Sequence, residues 1–252
     1  MPSPILLHLP HASKTIPDDL RHEILLSDRD LQDEINRLTD HATDLIFTKA
    51  FPRSDFVAFP ISRLVVDPER FPNDSEEPMS AVGMGALYTH GSLRQLIRRT
   101  PDFEKREHLL KRFYEPHHRR LTTAVDRNLE KYDKCLIIDG HSFPTQALPY
   151  ELNQAASRPD FCLGTDYFHT PEELVQIVEE ELQQFGLSTT RDEPFSGTIV
   201  PTKHYRKDQR VQSLMIEINR GLYLREDYSI DSEKTKKLIH VLEHVEQMLK
   251  DR

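Results

Sequence analysis

The stretch Cys135–Pro144 (CLIIDGHSFP) constrains the fold more than any other part of the chain. Its apolar, β-branched run predicts a short buried strand over residues 134–138. The run leads into Asp139-Gly140-His141, and in an open α/β sheet ligands bind outside the carboxyl ends of the strands. The pattern therefore places an imidazole where α/β proteins carry out their chemistry, with Asp139 as a group that could orient the ring. The alternative is a strand-end histidine that makes only a structural hydrogen bond.

Further strand and helix patterns alternate along the chain and predict an α/β fold. Strands are expected at residues 4–9, 56–60 and 211–219, and helices at 27–50, 92–99, 101–132, 170–185 and 232–250. Because Thr39-Asp40 also has the form of a helix N-cap, a break there, with a second helix starting at that point, is expected as an alternative to one continuous helix over 27–50. We predict one three-layer α/β domain over residues 1–252, with a mixed, largely parallel central sheet and helices on both faces.

Three more side chains could accompany His141 in a site. His11 directly follows the first strand, Glu217 lies late in the last strand, and Asp40 comes from the helix break. A carboxyl group buried among apolar residues has a raised pKa and is either paired or functional, which suits general-base catalysis near neutral pH. The alternatives are a hydrogen-bonded loop histidine for His11, a helix cap for Asp40, and a structural ion pair with Arg220 for Glu217.

Arg63 and Arg70 stand on either side of an apolar triplet and Asp67. Arginine recognises carboxylates through paired hydrogen bonds, so the pattern predicts a site for an anionic substrate. The alternative is an internal ion pair between Asp67 and an arginine that holds a loop. His117 and His118 are neighbours on a predicted helix and cannot face one site together, although one of them could reach a pocket.

The composition limits the partners and the location of the protein. The formal net charge is -9 and the pI about 5.8, which argues against a nucleic-acid partner because such binding needs a basic face. Two cysteines do not make a disulfide framework. No apolar run approaches the ~18 residues of a membrane span, and no signal peptide is evident. We expect a cytoplasmic protein with neither a nucleic-acid nor a membrane partner; the sequence leaves the oligomeric state open.

Taken together, these residues supply the parts of a metal-assisted amide hydrolysis site. Strand ends that carry His11 and His141, with one carboxylate, provide the three protein ligands of a catalytic zinc ion. Glu217 could then take a proton from the water that zinc acidifies. Arg63 and Arg70 would hold an anionic substrate.

The chain is similar to the N-formylglutamate amidohydrolases, which release formate from N-formyl-L-glutamate late in one route of histidine degradation. The resemblance runs to about Leu224 and is carried by Pro10-His11-Ala12-Ser13 with Ile16-Pro17, Thr39-Asp40 with Asp44, Ser62-Arg63 through Asp67 to Arg70, Pro116-His117-His118, Asp139-Gly140-His141-Ser142, Arg158-Pro159-Asp160-Phe161 with Leu163-Gly164, His204-Tyr205, and Glu217-Ile218-Asn219-Arg220 with Leu222-Tyr223. It implies a fold similar to the zinc carboxypeptidases (phosphorylase/hydrolase-like).

The resemblance also implies roles for individual residues. His11 and His141 resemble zinc ligands and Glu217 resembles the catalytic glutamate. The expected substrate-binding residues are Arg63, Arg70, Asn219 and His118.

The third zinc ligand is the point at which this chain departs from the carboxypeptidases. Their first zinc histidine is followed three residues later by a zinc glutamate, and Lys14 occupies that position here. The carboxylate ligand must come from elsewhere, and we predict Asp40, with Asp44, Glu34 and Asp139 as alternatives.

We therefore predict a zinc-dependent hydrolase, with another divalent metal as the alternative cofactor. Its substrate would be a small, anionic N-acyl amino acid, with N-formyl-L-glutamate as the first choice. Two alternatives stay open: a deacylase or carboxypeptidase-like enzyme for another N-acyl amino acid, and a non-catalytic protein that binds a metal or a small acid.

Overall fold

The computed structural model describes residues 3–250 and has an α/β fold built on a six-stranded, mixed and mostly parallel sheet. The strands are β1 (Ile5–Leu9), β2 (Asp55–Ala58), β3 (Cys135–Phe143), β4 (Phe161–Gly164), β5 (Thr189–Arg191) and β6 (Val211–Asn219). Their spatial order is β2-β1-β3-β6-β4-β5, and among these strands only β4 and β6 pair antiparallel. The fold class predicted from the sequence is confirmed.

Helices flank this sheet on both sides. They are α1 (Asp18–Arg21), α2 (Asp28–Leu38), α3 (Thr43–Ala50), α4 (Phe103–Leu109), α5 (Glu115–Tyr132), α6 (Glu172–Gln184) and α7 (Ser232–Lys250), with a π-helical turn at Leu110–Tyr114 and 3-10 turns at Pro78–Val82 and Arg220–Leu222. Within residues 3–250, no helix has the length and apolar character needed to cross a membrane. The single domain over residues 1–252 stays a prediction, and residues 1, 2, 251 and 252 lie outside the described part.

One face of the sheet is covered by α3, α6 and α7. Phe47, Leu174 and Leu242 from these helices pack in one core with Ile138 of β3 and Leu214 of β6. Burying large apolar side chains of this kind stabilises a fold by roughly 1.5–3 kcal/mol each, so this core fixes β3 and β6 side by side.

The other face is covered by α5, and it is the face that carries the polar side chains. Leu121 of α5 packs against Leu6 and Ile137. Because side chains alternate along a strand, the residues two and four beyond Ile137, Asp139 and His141, point to this same face.

Strand β3 is longer than the sequence predicts. It continues through Asp139, Gly140 and His141 to Phe143, so the histidine lies inside the strand instead of in a turn after it. A Cβ atom at Gly140 would come within 2.8 Å of the Phe47 ring and 2.9 Å of Leu9. The glycine is therefore explained by the close approach of α3 to the sheet, and not by a sharp turn.

Two helix predictions have different outcomes. The expected break near Thr39-Asp40 is confirmed, since α2 ends at Leu38 and α3 begins at Thr43. The helix predicted over residues 92–99 is wrong, because that segment has no helical residues. There the Ser92 backbone N–H and hydroxyl both donate to the Glu34 carboxylate, which favours an irregular backbone over a helix.

Candidate active site

A cavity of about 1190 Å³ lies at the carboxyl ends of β1, β3 and β6. Its lining includes seven of the eight residues that the sequence predicts for the site: His11, Asp40, Arg63, Arg70, His118, His141 and Glu217. These residues are separated by up to two hundred positions in the chain, and the parallel order of the strands brings them to one edge of the sheet.

His11, His141 and Asp40 form the centre of this site. The Nδ1 atoms of the two histidines are 3.3 Å apart. Asp40 Oδ2 lies 3.1 Å from His141 Nδ1 and 3.7 Å from His11 Nδ1. Ligands about 2.0–2.1 Å from a tetrahedral zinc ion are separated by about 3.3 Å, so all three atoms are spaced as ligands of one ion would be.

The second ring nitrogen of each histidine is paired with a buried aspartate. His11 Nε2 is 2.9 Å from Asp67 Oδ1, and His141 Nε2 is 3.1 Å from Asp139 Oδ1. A histidine that donates its Nε2–H to a carboxylate keeps its Nδ1 lone pair free for a metal ion, and this pairing is usual for metal-binding histidines. Asp67 and Asp139 thus hold both rings by Nε2 and leave the two Nδ1 atoms facing each other.

The charges around the histidines favour a positive charge at this site. Burial by itself would lower the pKa of His141, but Glu69, Asp139 and Asp40 together raise it well above its ordinary value of 6.5. The pKa of Asp40 is held well below its ordinary value in spite of burial, because His141 hydrogen-bonds to it and His11 lies close beside it.

Asp40 is positioned by the loop between α2 and α3. Its backbone N–H donates to the carbonyl oxygen of His11 at 3.0 Å, which ties this loop to the end of β1. Arg220 Nη2 donates to Asp40 Oδ1 at 3.0 Å, leaving Oδ2 towards the histidines. Asp40 does not cap helix α3. The N-cap residue of this helix is Ala42, whose side chain makes no capping hydrogen bond.

The other candidates for a carboxylate ligand lie in different settings. Glu34 is buried against Ser92, Gln95 and Arg37, and Asp44 is exposed at the start of α3. Asp139 lies at the Nε2 side of His141.

Glu69 is a site residue that the sequence reasoning missed. Its Oε2 lies 3.1 Å from His141 Nε2 and 3.7 Å from His11 Nδ1, and its Oε1 lies 3.6 Å from His8 Nδ1. His11, Glu69 and His141 form one group of potential metal ligands, and His8, Glu69 and Asp139 form another. In the sequence Glu69 is only one more carboxylate in the loop between Asp67 and Arg70, with no pattern that marks it as a site residue.

Glu217 lies beside His141 on the neighbouring strand. The two residues are paired in register between β3 and β6. Glu217 is buried, its Oε2 has no hydrogen-bond partner among the described residues, and burial raises its pKa to about 7. No ion pair to Arg220 is formed in the described structure, where Arg220 instead binds Asp40 and Ser142.

The four predicted substrate-binding residues have different surroundings. Arg63 lines the cavity but is held by Asp67 at 2.8 Å, and it also donates to Tyr88. Arg70 lines the cavity with its Nε atom unpartnered among the described residues, and its nearest carboxylate oxygens are 3.7 and 3.9 Å away.

His118 and Asn219 are both engaged within the protein. His118 lines the cavity while its Nε2 pairs with the Pro68 carbonyl oxygen at 2.8 Å. Asn219 is not among the residues that line the cavity; its amide binds Pro159, and its oxygen accepts from Thr145 and Gly221. Asn219 therefore shapes the turn after β6.

Residues 3–224 match the model of a protein family described as N-formylglutamate amidohydrolase. The chain belongs to this family. As a member it is an amidohydrolase, and its buried cluster of histidines and carboxylates is consistent with a metal site. The match ends at the same residue as the resemblance recognised in the sequence.

One curated relative and two solved structures are similar to this chain over most of their length. An N-formylglutamate deformylase of Pseudomonas putida is 27% identical over 236 residues, covering 88% of this chain and 82% of the relative. The crystal structure of an N-formylglutamate amidohydrolase from Ralstonia eutropha JMP134 aligns with a TM-score of 0.83 at 22% identity, over 99% of this chain and 94% of that chain. A gene product of Agrobacterium tumefaciens aligns with a TM-score of 0.73 at 20% identity, over 99% and 91%. The two structures support the fold.

Proposed function

We propose that this chain is a zinc-dependent amidohydrolase that hydrolyses N-formyl-L-glutamate to formate and L-glutamate. One arrangement carries the proposal: three potential ligand atoms of His11, His141 and Asp40 lie 3.3, 3.1 and 3.7 Å apart, and Glu217, whose Oε2 has no hydrogen-bond partner among the described residues, comes from the strand next to His141. Family membership and the name of the Pseudomonas putida relative support the choice of substrate.

In this proposal His11, Asp40 and His141 hold the zinc ion. Two imidazole nitrogens and one carboxylate oxygen make a donor set of the kind found in catalytic zinc sites. When bound there, zinc would polarise the formyl carbonyl group and lower the pKa of a water molecule. Asp67 and Asp139 hold the two histidines in the required tautomer through their Nε2 atoms.

Glu217 acts first as a general base and then as a general acid. A pKa of about 7 leaves a large share of its carboxyl group ionised at neutral pH. It takes a proton from the attacking water as the water oxygen bonds to the formyl carbon. It gives a proton to the amide nitrogen as the carbon–nitrogen bond breaks, which yields formate and the free amine of glutamate.

Arg63 and Arg70 bind the carboxylates of the substrate in this proposal. Arg70 is the better placed of the two, because its Nε atom has no partner among the described residues. The pKa values of both arginines are raised in spite of burial, Arg63 chiefly by Asp67 and Arg70 chiefly by Tyr88 and Asp67, so both stay positively charged. His118 forms part of the cavity wall beside them.

The proposed reaction places the enzyme late in one route of histidine degradation, in the cytoplasm. Formate release from N-formyl-L-glutamate is the step that this family resemblance implies. The location and the pathway are extensions of the proposed substrate.

Replacement of the general base tests the mechanism. Glu217→Gln should reduce formate release from N-formyl-L-glutamate by about 10²–10⁴-fold, the usual range for loss of general acid–base catalysis. Metal content and thermal stability should stay close to those of the wild type. Glu181→Gln is the control, since Glu181 is a buried glutamate on α6 that does not line the cavity. Wild-type turnover in Glu217→Gln would show that another group is the base.

A nearly isosteric substrate tests the specificity. N-formyl-L-glutamine lacks only the charge of the side-chain carboxylate, and a hydrogen bond to a charged group contributes about 1.5–3 kcal/mol. The value of kcat/KM should therefore fall by about 10–100-fold relative to N-formyl-L-glutamate. Equal values for the two compounds would mean that the enzyme acts on another class of N-acyl amino acid.

A further inference from the structure

Glu69 directs its two carboxylate oxygens at two different groups of side chains. Its Oε2 faces His141 and His11, at 3.1 and 3.7 Å, and its Oε1 faces His8 Nδ1 at 3.6 Å. Among the described residues, every ion pair of Glu69 is with a histidine. The side chain is 17% exposed and lines the cavity, so a solute in the cavity can reach it.

Only one oxygen of this carboxylate, Oε2, faces the histidines of the proposed zinc site. On the other side, His8, Asp139 and Glu69 offer three ligand atoms that all lie within 4.8 Å of one another. His8 Nδ1 is 2.7 Å from Asp139 Oδ1, which is a hydrogen-bond distance in this structure. Imidazole and carboxylate groups converge here as they do in metal sites.

His8 has the support that a metal-binding histidine needs. Its Nε2 is 2.8 Å from His117 Nε2, and His117 is fully buried with an Nδ1 that has no partner among the described residues. A ring whose Nε2 is engaged by a neighbour can present Nδ1 to a metal ion. The His8–His117 pair is not explained by the zinc site, because neither residue touches His11 or Asp40 in the hydrogen bonds of the described residues.

We propose that His8, Asp139 and Glu69 bind a second divalent cation next to the zinc site, with Glu69 as the carboxylate that bridges the two ions. The proposal rests on the metal centre of the proposed function. Two carboxylates and one imidazole suit a cation that accepts oxygen ligands, such as Mn²⁺, as well as zinc. Metal pairs in hydrolases lie about 3.5–4 Å apart, a separation that one carboxylate spans.

Metal stoichiometry tests this proposal directly. The measurement is equilibrium dialysis of metal-free protein against zinc or Mn²⁺, followed by elemental analysis. All variants carry His240→Gln and His244→Gln, because these exposed histidines on α7 have rings 4.7 Å apart and could bind zinc by themselves. The protein that carries these two substitutions should bind two equivalents of metal per chain.

Two substitutions should remove the second equivalent. In His8→Gln one tightly bound equivalent remains, because His8 belongs only to the second group. In Glu69→Gln the second equivalent should bind at least tenfold more weakly. Glu115→Gln is the matched control, since it removes a negative charge from the same cavity wall but has no contact with these histidines, and it should keep two equivalents.

A spectroscopic readout separates a bridged pair from two independent ions. Mn²⁺ ions that share a carboxylate are exchange-coupled, so the electron paramagnetic resonance spectrum of the loaded protein should differ from that of an isolated Mn²⁺ ion. His8→Gln should return the spectrum of an isolated ion. Unfolding curves show whether each variant folds. If His8→Gln does not fold, the metal content of Glu69→Gln decides whether the second site exists.

The possible failures can be told apart. A single equivalent in the parent protein, or two equivalents in both His8→Gln and Glu69→Gln, would overturn the second site and leave the zinc site intact. Binding of two ions without exchange coupling would overturn the bridging role of Glu69. A protein that binds no divalent metal at all would contradict the proposed function as well.

Discussion

Asp67 and Asp139 each hold the Nε2 atom of one central histidine, but their other partners differ. Asp67 also binds Arg63 at 2.8 Å and accepts from the Tyr88 hydroxyl at 2.5 Å. Asp139 has no arginine or lysine among its partners in the described residues; it accepts from His8 and from the backbone N–H of Ile199. A permanent positive charge thus balances one aspartate, and imidazoles surround the other.

This difference predicts that the two aspartates matter for different properties of the protein. Asp67 and Tyr88 are fully buried and the Arg63 side chain is 13% exposed, in a network in which the charges of Asp67 and Arg63 balance without a ligand. The Asp139 side, with Glu69 nearby, gains a full positive charge only when a histidine is protonated or a cation binds. Both aspartates support a histidine of the site, but we expect loss of Asp67 to have the larger effect on folding and loss of Asp139 to act mainly on metal binding.

The largest effect should come from Asp67→Asn. It leaves the largely buried guanidinium group of Arg63 without its counter-charge, and breaking a buried pair in this way costs about 3–5 kcal/mol. The free energy of unfolding, measured by urea denaturation, should fall by that amount. Asp55→Asn breaks an exposed pair with Arg127 and should change stability by less than about 1 kcal/mol. A similar small loss in Asp67→Asn would contradict a structural role for this network.

A smaller effect on stability and a clear effect on metal binding should come from Asp139→Asn. A neutral amide accepts the His141 Nε2–H less strongly, and loss of such a support lowers metal affinity by about 10–100-fold. Competition with a chromophoric chelator measures the affinity, and urea denaturation of the metal-free protein measures stability. If Asp139→Asn unfolds as readily as Asp67→Asn with unchanged metal affinity, the two aspartates do not differ as described.

The smallest effect should come from His117→Gln, at acidic pH. Burial, followed by the charge of His8, lowers the pKa of His117 below its ordinary value of 6.5. The unfolded chain therefore binds a proton below pH 6.5 that the folded protein does not, so this group destabilises the fold as pH falls through that value.

Comparison of the two proteins at two pH values isolates this contribution. The wild type should lose about 1 kcal/mol more than His117→Gln in unfolding free energy between pH 7 and pH 5.5. His108→Gln, on the surface-facing side of α4 outside the cavity, is the control. An equal pH dependence in wild type and His117→Gln would mean that His117 is protonated in the fold.

Strong local patterns are the parts of the fold that could be predicted from the sequence. Strand β6 and helix α7 have the predicted bounds, because alternation in the one and a regular apolar stripe in the other leave little choice. The sequence predicts β3 too short, because the strand continues through Asp139 and His141, whose polar side chains are buried by contacts within the site. The helix predicted at 92–99 failed because Glu34, nearly sixty residues away, binds Ser92.

The candidate site could be predicted in part. His11 follows β1, and His141 and Glu217 lie in the last third of β3 and β6, where chain order and sheet topology together bring them into one cavity. The position of Glu69 depends on the path of the loop after Asp67. Two contacts fix that path: the backbone N–H of Glu69 donates to Asp67 Oδ1, and His118 of α5 pairs with the carbonyl oxygen of Pro68. Contacts of that kind join distant segments and leave no periodic signal.

The measurement that most directly tests the central claim is hydrolysis of N-formyl-L-glutamate before and after removal of metal. Purified protein is treated with a chelator, dialysed, and assayed for formate with and without added zinc. We predict that release stops on chelation and returns with zinc, because His11, Asp40 and His141 form the site that holds the ion. Undiminished formate release from protein shown to be free of metal would contradict the account.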